Sequence, residues 1–331
     1  MVFSNPKHIA NWLFACCALV FAMVVVGAVT RLTESGLSIA EWKPLMGAIP
    51  PLNDSEWSRV FDLYKQTPEF QKKNFWMEMD DFKNIFFWEW AHRFLGCAIG
   101  IFYALPLAYF WLRGKIPQGY KFKLLVPFIL GGLQGAMGWY MVQSGLVDAP
   151  AVSHYRLAAH LALAFLIFCV MLWLGLSLTN AKRERGAALF AHGCVTLVLL
   201  IVTIFWGAFT AGLDGGLIYN NSFPLMGDEW IPPEAKQSIL STPAGAQFAH
   251  RWLAMTTVVM ALSLWAHGTL KHRGFPALQA LGFVVVLQMG LGIATLLSGV
   301  NITIAVLHQV GALTVLTLLV MILYRLQPKN Y

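Results

Sequence analysis

Nine histidines occur in this chain of 331 residues, and four of them, His92, His160, His250 and His308, stand on otherwise apolar stretches. Imidazole is the commonest metal ligand among side chains, and an ionisable group in an apolar segment is costly enough to mark function. Two of the four share a local pattern, Ala91-His92-Arg93 and Ala249-His250-Arg251, but the residue three positions earlier differs: Glu89 in the first, Gln247 in the second. On a helix that spacing puts both side chains on one face. A carboxylate there can transfer protons or stabilise a cationic intermediate, whereas the isosteric amide can only hydrogen-bond. His8, His154, His192, His267 and His272 fall in connecting segments or near the ends of apolar runs, where an ordinary structural role suffices.

The elements that must position these side chains follow from composition. The chain is 58% hydrophobic and 12% charged, with a mean hydropathy of +0.62, far outside the range of water-soluble domains. Uncharged runs of the roughly 20 residues needed to cross a bilayer occupy 11–30, 94–112, 124–147, 157–181, 186–213 and 252–270. A further run, 274–324, is twice as long and is divided by the turn signal Ser298-Gly299-Val300-Asn301. The expected fold is an all-α integral membrane protein with eight transmembrane helices. Lys7, Arg113, Lys115, Lys121, Lys123, Lys182, Arg183, Arg185, Lys271, Arg273, Arg325 and Lys329 all fall on one side, with Glu184 as the single acid among them, while most acids fall on the other. Positive residues in short loops resist translocation, so both termini are expected in the cytoplasm and the net charge of +7 is a topology signal, not a nucleic-acid footprint. No cleavable signal precedes the first span, and a bacterial inner membrane, with many passes through it, fits best. Cys16, Cys17, Cys97, Cys169 and Cys194 lie in spans or at their inner ends, so a disulfide on the outer face is not expected.

The chain also resembles itself. Gly27-Ala28-Val29-Thr30 and Gly207-Ala208-Phe209-Thr210 are 180 residues apart, and at the same offset Glu34-Ser35-Gly36-Leu37 matches Asp214-Gly215-Gly216-Leu217 and Pro44-Leu45-Met46-Gly47 matches Pro224-Leu225-Met226-Gly227. Later echoes pair His92-Arg93 with His250-Arg251, and Gln134 and Ser144-Gly145 with Gln288 and Ser298-Gly299. Ordered matches on equivalent spans indicate a duplicated unit of four spans, giving two tandem four-helix bundles related by a pseudo-two-fold axis along the membrane normal. The expected halves are 1–183, with a first outer loop over 32–86, and 184–331.

Within this frame the four histidines sit at a shared depth, toward the outer (periplasmic) ends of even-numbered spans. Four imidazoles at one level in two repeats call for a joint explanation, and haem ligation supplies one: two facing helices each offer one axial imidazole. His92 with His160 would hold one haem and His250 with His308 another. Zinc or copper fits less well, because no cysteine or carboxylate cluster completes either pair. Arg31, Arg93, Arg156 and Arg251 lie at outer ends of spans, placed for haem propionates or for ordinary snorkelling to lipid headgroups. The Glu89/Gln247 difference assigns chemistry to the first half and a resident, electron-relaying haem to the second. The loop of about 55 residues from Leu32, with Trp42, Trp57 and Trp76, could cover a bulky substrate as a lid.

These residues resemble haem A synthase, in the branch shared by proteobacteria and mitochondria, over essentially the whole chain. The likeness rests on 27–31 leading into Thr33-Glu34-Ser35-Gly36-Leu37-Ser38, on Trp42-Lys43-Pro44 and Pro50-Pro51, and on Glu89 with His92-Arg93. It continues through Tyr155-Arg156-Leu157-Ala158-Ala159-His160-Leu161, Gln247-Phe248-Ala249-His250-Arg251 and Leu307-His308-Gln309. The resemblance implies oxidation of the ring methyl of haem O to a formyl group, through successive hydroxylations and loss of water from a geminal diol, to give haem A for cytochrome oxidase. It also implies that His92 and His160 hold the substrate haem O, that His250 and His308 hold haem B, and that Glu89 is the catalytic carboxylate. Some relatives carry a cysteine pair in the first outer loop; this chain has none there. Implied partners are the farnesyltransferase that makes haem O, cytochrome oxidase assembly factors, an electron donor or acceptor, membrane lipid and, in some settings, further copies of the chain. The rival readings are a dihaem b-type electron-transfer cytochrome acting on quinol and a haem transporter or chaperone.

Overall fold

In the computed structural model, residues 6–41, 49–146, 150–179, 183–184, 186–271 and 274–327 are described, and their regular structure is helical. The α-helices are α1 (Pro6–Leu32), α2 (Asp54–Tyr64), α3 (Met79–Leu112), α4 (Lys121–Leu146), α5 (His154–Ser177), α6 (Ala187–Gly212), α7 (Pro243–Leu270), α8 (Pro276–Leu297) and α9 (Ile302–Leu326). All except α2 are long and apolar enough to cross a membrane, which makes eight among the described residues. The expected count of spans therefore holds. The turn expected at 298–301 separates α8 from α9: Gly299 and Val300 take positive φ values of 65° and 62°, and Asn301 caps α9 by accepting from the Ile304 amide at 3.3 Å.

The first long loop is more helical than its composition suggested. α2 is amphipathic and starts at Asn53, whose side chain accepts from the Glu56 amide at 2.9 Å. Its Phe61 and Tyr64 join Phe82, Ile85 and Phe86 of α3 in one buried cluster, with Trp57 set edge-on to Phe82 and Phe86. A π-helical turn follows at Phe70–Asn74. α3 consequently begins at Met79, where Asp81 accepts from the Glu78 amide at 3.1 Å. The uncharged run used to place this span begins only at residue 94, because Asp80, Asp81, Lys83, Glu89 and Arg93 interrupt it. Trp57 is thus a core residue and Trp76 is 60% exposed. Trp42, with the rest of 42–48 and so the first Pro-Leu-Met-Gly copy and Trp42-Lys43-Pro44, lies outside the described residues, as do Lys182, Arg185, His272, Arg273 and Lys329.

The chain forms two compact units: Ala18–Ala164, and Phe165–Tyr331 together with Met1–Cys17. In the second, α6 packs on α7, α8 on α9 and α6 on α9. Glu184 pairs with Arg325 at the end of α9, and its amide donates to the Arg325 carbonyl at 2.8 Å, so the one acid of the expected inner segments is neutralised locally.

Candidate haem-binding sites

In the unit 18–164, His92 of α3 rests against Gly27 of α1, so close that a Cβ on the glycine would lie 3.3 Å from Nε2. His160 of α5 rests likewise on Gly138 of α4, with 3.1 Å to Cε1. One turn before that glycine, the Gln134 side-chain nitrogen donates to the His160 carbonyl at 3.1 Å and lies 3.2 Å from the ring's Nδ1.

The other unit repeats the plan. His250 of α7 sits on Gly207 of α6, with 2.9 Å from a Cβ there to Cε1, and His308 of α9 sits on Gly292 of α8, with 2.8 Å. Gln288 donates to the His308 carbonyl at 2.9 Å and lies 3.1 Å from Nδ1. His250 Nδ1 is 3.0 Å from the Thr203 carbonyl, which can only accept, so Nδ1 carries the hydrogen and Nε2 presents its lone pair. The rings of His250 and His308 have centroids 6.4 Å apart and planes at 81°.

This donor set fits a haem. With metal–nitrogen bonds of roughly 2 Å and the rings' own half-widths added, the centroid separation is that of two imidazoles on opposite sides of one metal atom. Among the described residues no three of His, Cys, Asp and Glu gather into a metal-binding group; each pair would supply two ligands and a macrocycle the rest.

Glu89 is 3% exposed and fully engaged. Its carboxylate accepts from the Ser38 hydroxyl at 2.7 Å, the Ile39 amide at 2.8 Å and the Arg93 guanidinium at 2.6 Å. Arg93 also donates to the Ile39 carbonyl at 3.3 Å. At the repeat-related place, the Gln247 amide donates to the carbonyls of Gly215 and Ile218 at 2.8 and 2.7 Å and accepts from Arg251 at 3.1 Å. Arg251 donates to the Tyr219 carbonyl at 2.6 Å, and Tyr219 is the counterpart of Ile39 at the offset of 180. The same helix end meets the same loop in both halves, with the hydrogen bonds at 89 and 247 running in opposite directions.

The family profile of COX15-CtaA, described as cytochrome oxidase assembly protein, matches residues 10–320. The chain belongs to this family. A protein of Rhodospirillum centenum named Heme A synthase is 46% identical, over 98% of this chain and 89% of its own. Proteins of the same name from Nitrosospira multiformis (44%; 95% and 92% covered) and Paramagnetospirillum magneticum (46%; 95% and 93% covered) are similarly close.

In this chain the arginines expected near propionates make different contacts. Arg251 is buried, and its terminal nitrogens are spent on the carbonyls of Tyr219, Ser222, Pro224 and Leu225 and on Gln247; among the described residues its Nε alone is unpartnered. It clamps the loop after α6. Arg156 donates to the Tyr140 carbonyl at 2.7 Å and lies over that ring at 3.8 Å, and Arg31 ends α1. His154 is the first residue of α5, stacked near Tyr155 at 4.0 Å. His192 and His267 face each other, Nδ1 to Nδ1, at 3.3 Å.

Several participants carried no expected role: Ser38, Ile39, Thr203, and the glutamines 134 and 288, noted above only as repeat echoes. The legible signal was Gln-x-x-x-Gly in both halves, Gln134 with Gly138 and Gln288 with Gly292. In the first loop, Tyr64 donates to buried Glu69 at 3.0 Å and Asn74 to the Tyr64 oxygen at 2.8 Å. Burial, with smaller contributions from the carboxylates of Glu89 and Glu34, raises Glu69 to about 7.

Proposed function

We propose that this chain is a haem A synthase: a multi-pass membrane oxidoreductase that converts the ring methyl of haem O to the formyl group of haem A. The observation that carries it is identity of 46% along almost the full length to a protein of that name. The site geometry supports the division of labour. His92 and His160 hold the substrate haem O, with Glu89 beside it as the catalytic carboxylate. His250 and His308 hold a resident haem B, which when bound supplies one-electron transfer. The Thr203 carbonyl fixes His250 in the tautomer that ligates through Nε2, as suits a permanent ligand. Arg93, whose guanidinium pairs with Glu89 and donates to the Ile39 carbonyl, ties that carboxylate to 38–39. Arg31, Arg93, Arg156 and Arg251 are the propionate partners of this reading, Arg251 also holding the loop after α6.

The proposal extends to the setting. The two four-helix halves descend from one duplicated unit, both termini face the cytoplasm, and both haem sites lie toward the periplasmic side of a bacterial inner membrane. Haem O arrives from the membrane farnesyltransferase that makes it, its tail remaining in lipid, and haem A leaves for cytochrome oxidase assembly. The test is chromatographic identification of haems extracted from the full chain, purified after expression with a source of haem O. Haem B together with haem O or its oxidised products is the expected result. Haem B alone in both sites, with no conversion when haem O is abundant, would overturn the assignment in favour of an electron-transfer cytochrome.

A further inference from the structure

Two buried oxygens in this protein have no hydrogen-bond partner among the described residues, and they occupy repeat-related positions: Oε1 of Gln134 and Oε1 of Gln288. Each belongs to an amide whose nitrogen is fully used. Gln134 Nε2 donates to the His160 carbonyl and lies 3.2 Å from its Nδ1 and 3.1 Å from its Nε2, and Gln288 Nε2 donates to the His308 carbonyl and lies 3.1 Å from its Nδ1. An amide nitrogen has only hydrogens to offer, so at His308 this contact suits a ring whose Nδ1 is bare and whose hydrogen sits on Nε2. Ligation through Nε2 requires the reverse: Nε2 bare, and a hydrogen on Nδ1 that needs an acceptor. The unpartnered oxygen of the same amide is the nearest acceptor this glutamine can provide.

His250 already displays the ligating arrangement, its Nδ1 bonded to the Thr203 carbonyl at 3.0 Å. At Gln288 the fold also keeps a place for the amide. A Cβ on Gly311 would fall 2.0 Å from its Oε1, so only glycine leaves room for that amide.

We propose that Gln134 and Gln288 are positioning residues whose amides shift when haem binds, Oε1 accepting the Nδ1 hydrogen of His160 and His308 while Nε2 keeps its bond to the same residue's carbonyl. The inference rests on the two-haem reading above and adds how two of its four ligands are oriented and tuned. An acceptor on Nδ1 makes the imidazole a stronger electron donor, which stabilises ferric iron and lowers the reduction potential.

The experiment is a potentiometric titration of the purified full chain, following the absorption of each haem, with Gln288→Met and Gln288→Glu compared with the parent. Loss of the acceptor in Gln288→Met should raise one of the two midpoint potentials by about 59 mV, a tenfold change in a one-electron equilibrium. Gln288→Glu, which keeps an oxygen acceptor, should hold the same potential at or below the parent's. Loss of one haem from the Met variant with retention in the Glu variant supports the same role, as a weakened outer shell typically costs 10–100-fold in metal affinity. Unchanged potentials in a fully loaded Met variant, equal upward shifts in both variants, or loss of haem from both would overturn it and leave a packing role. Failure of the underlying reading is separately visible: the parent protein would then lack the electron paramagnetic resonance signal of bis-imidazole ferric haem.

Discussion

Each imidazole of the two candidate sites occupies space that a neighbouring helix vacates by having no side chain, at Gly27, Gly138, Gly207 and Gly292. In an ordinary helix interior, alanine in place of glycine stabilises by roughly 0.5–1 kcal/mol. Here the added methyl meets the ring. Gly207→Ala, with 2.9 Å to His250 Cε1, should lower the haem bound per protein while circular dichroism shows helix content intact. Gly27→Ala, with 3.3 Å to His92, should be the milder change. For Glu89→Gln, the amide oxygen can still accept from Ser38 and Ile39, but its NH2 then faces Arg93 and the ion pair is lost. The expected outcome is retained haem and abolished conversion of haem O, at a stability cost on the order of 1–3 kcal/mol. Full conversion by that variant would remove Glu89 from the chemistry. His92, His160, His250, His308 and Glu89 were legible because ionisable groups are rare in apolar runs. Their supports were not, because a glycine, a backbone carbonyl as at Thr203, or a glutamine declares its role only when two helices are set side by side.

At the scale of elements, the largest departure from expectation is the segment between α1 and α3. Charges at 80, 81, 83 and 89 made it read as loop, yet Phe82, Ile85, Phe86 and Glu89 recur at helical spacing and bury one face. α2 covers that face, so the first loop is in good part a packed cap, with Trp57 partly buried against its cluster. The cap encloses Glu69, with a consequence for its pH response. Its folded value of about 7 lies above the ordinary 4.5, so the folded cap holds a proton that the unfolded chain releases. The stability this gives is complete below about pH 4.5, declines as pH rises, and is gone above about pH 7, a span worth about 3 kcal/mol. Hydrogen–deuterium exchange over 54–78, corrected for intrinsic rates, should show opening that increases from pH 5 to pH 7.5. Glu69→Gln should flatten that dependence; an unchanged slope would mean that the proton resides elsewhere.

At the scale of the molecule, eight long apolar helices were readable from hydropathy alone, and the turn at 298–301 was correctly placed by its own residues. Sidedness is a separate matter, fixed by charges outside the helices. All five cysteines lie within α1, α3, α5 and α6, which makes added thiols a clean probe once they are replaced. A cysteine at the exposed Asp228 position should react with a membrane-impermeant maleimide in intact cells, and one at the exposed Lys271 position only after lysis. The opposite pattern would invert the topology and move the haem sites to the cytoplasmic side.

The opposed hydrogen bonds at 89 and 247 limit how the halves can be exchanged. Glu89 is met by donors from Ser38 and Ile39, Gln247 by acceptors from Gly215 and Ile218. A carboxylate placed alone at 247 would face two carbonyls, repelled on one side and held only by Arg251 on the other. The unit of inheritance is therefore a helix end plus the strip of chain that lies on it, and a working chimera must move both together. Neither partner of that pairing can change by itself without leaving two donors or two acceptors face to face, so the two places are distinct trades that no single substitution can swap.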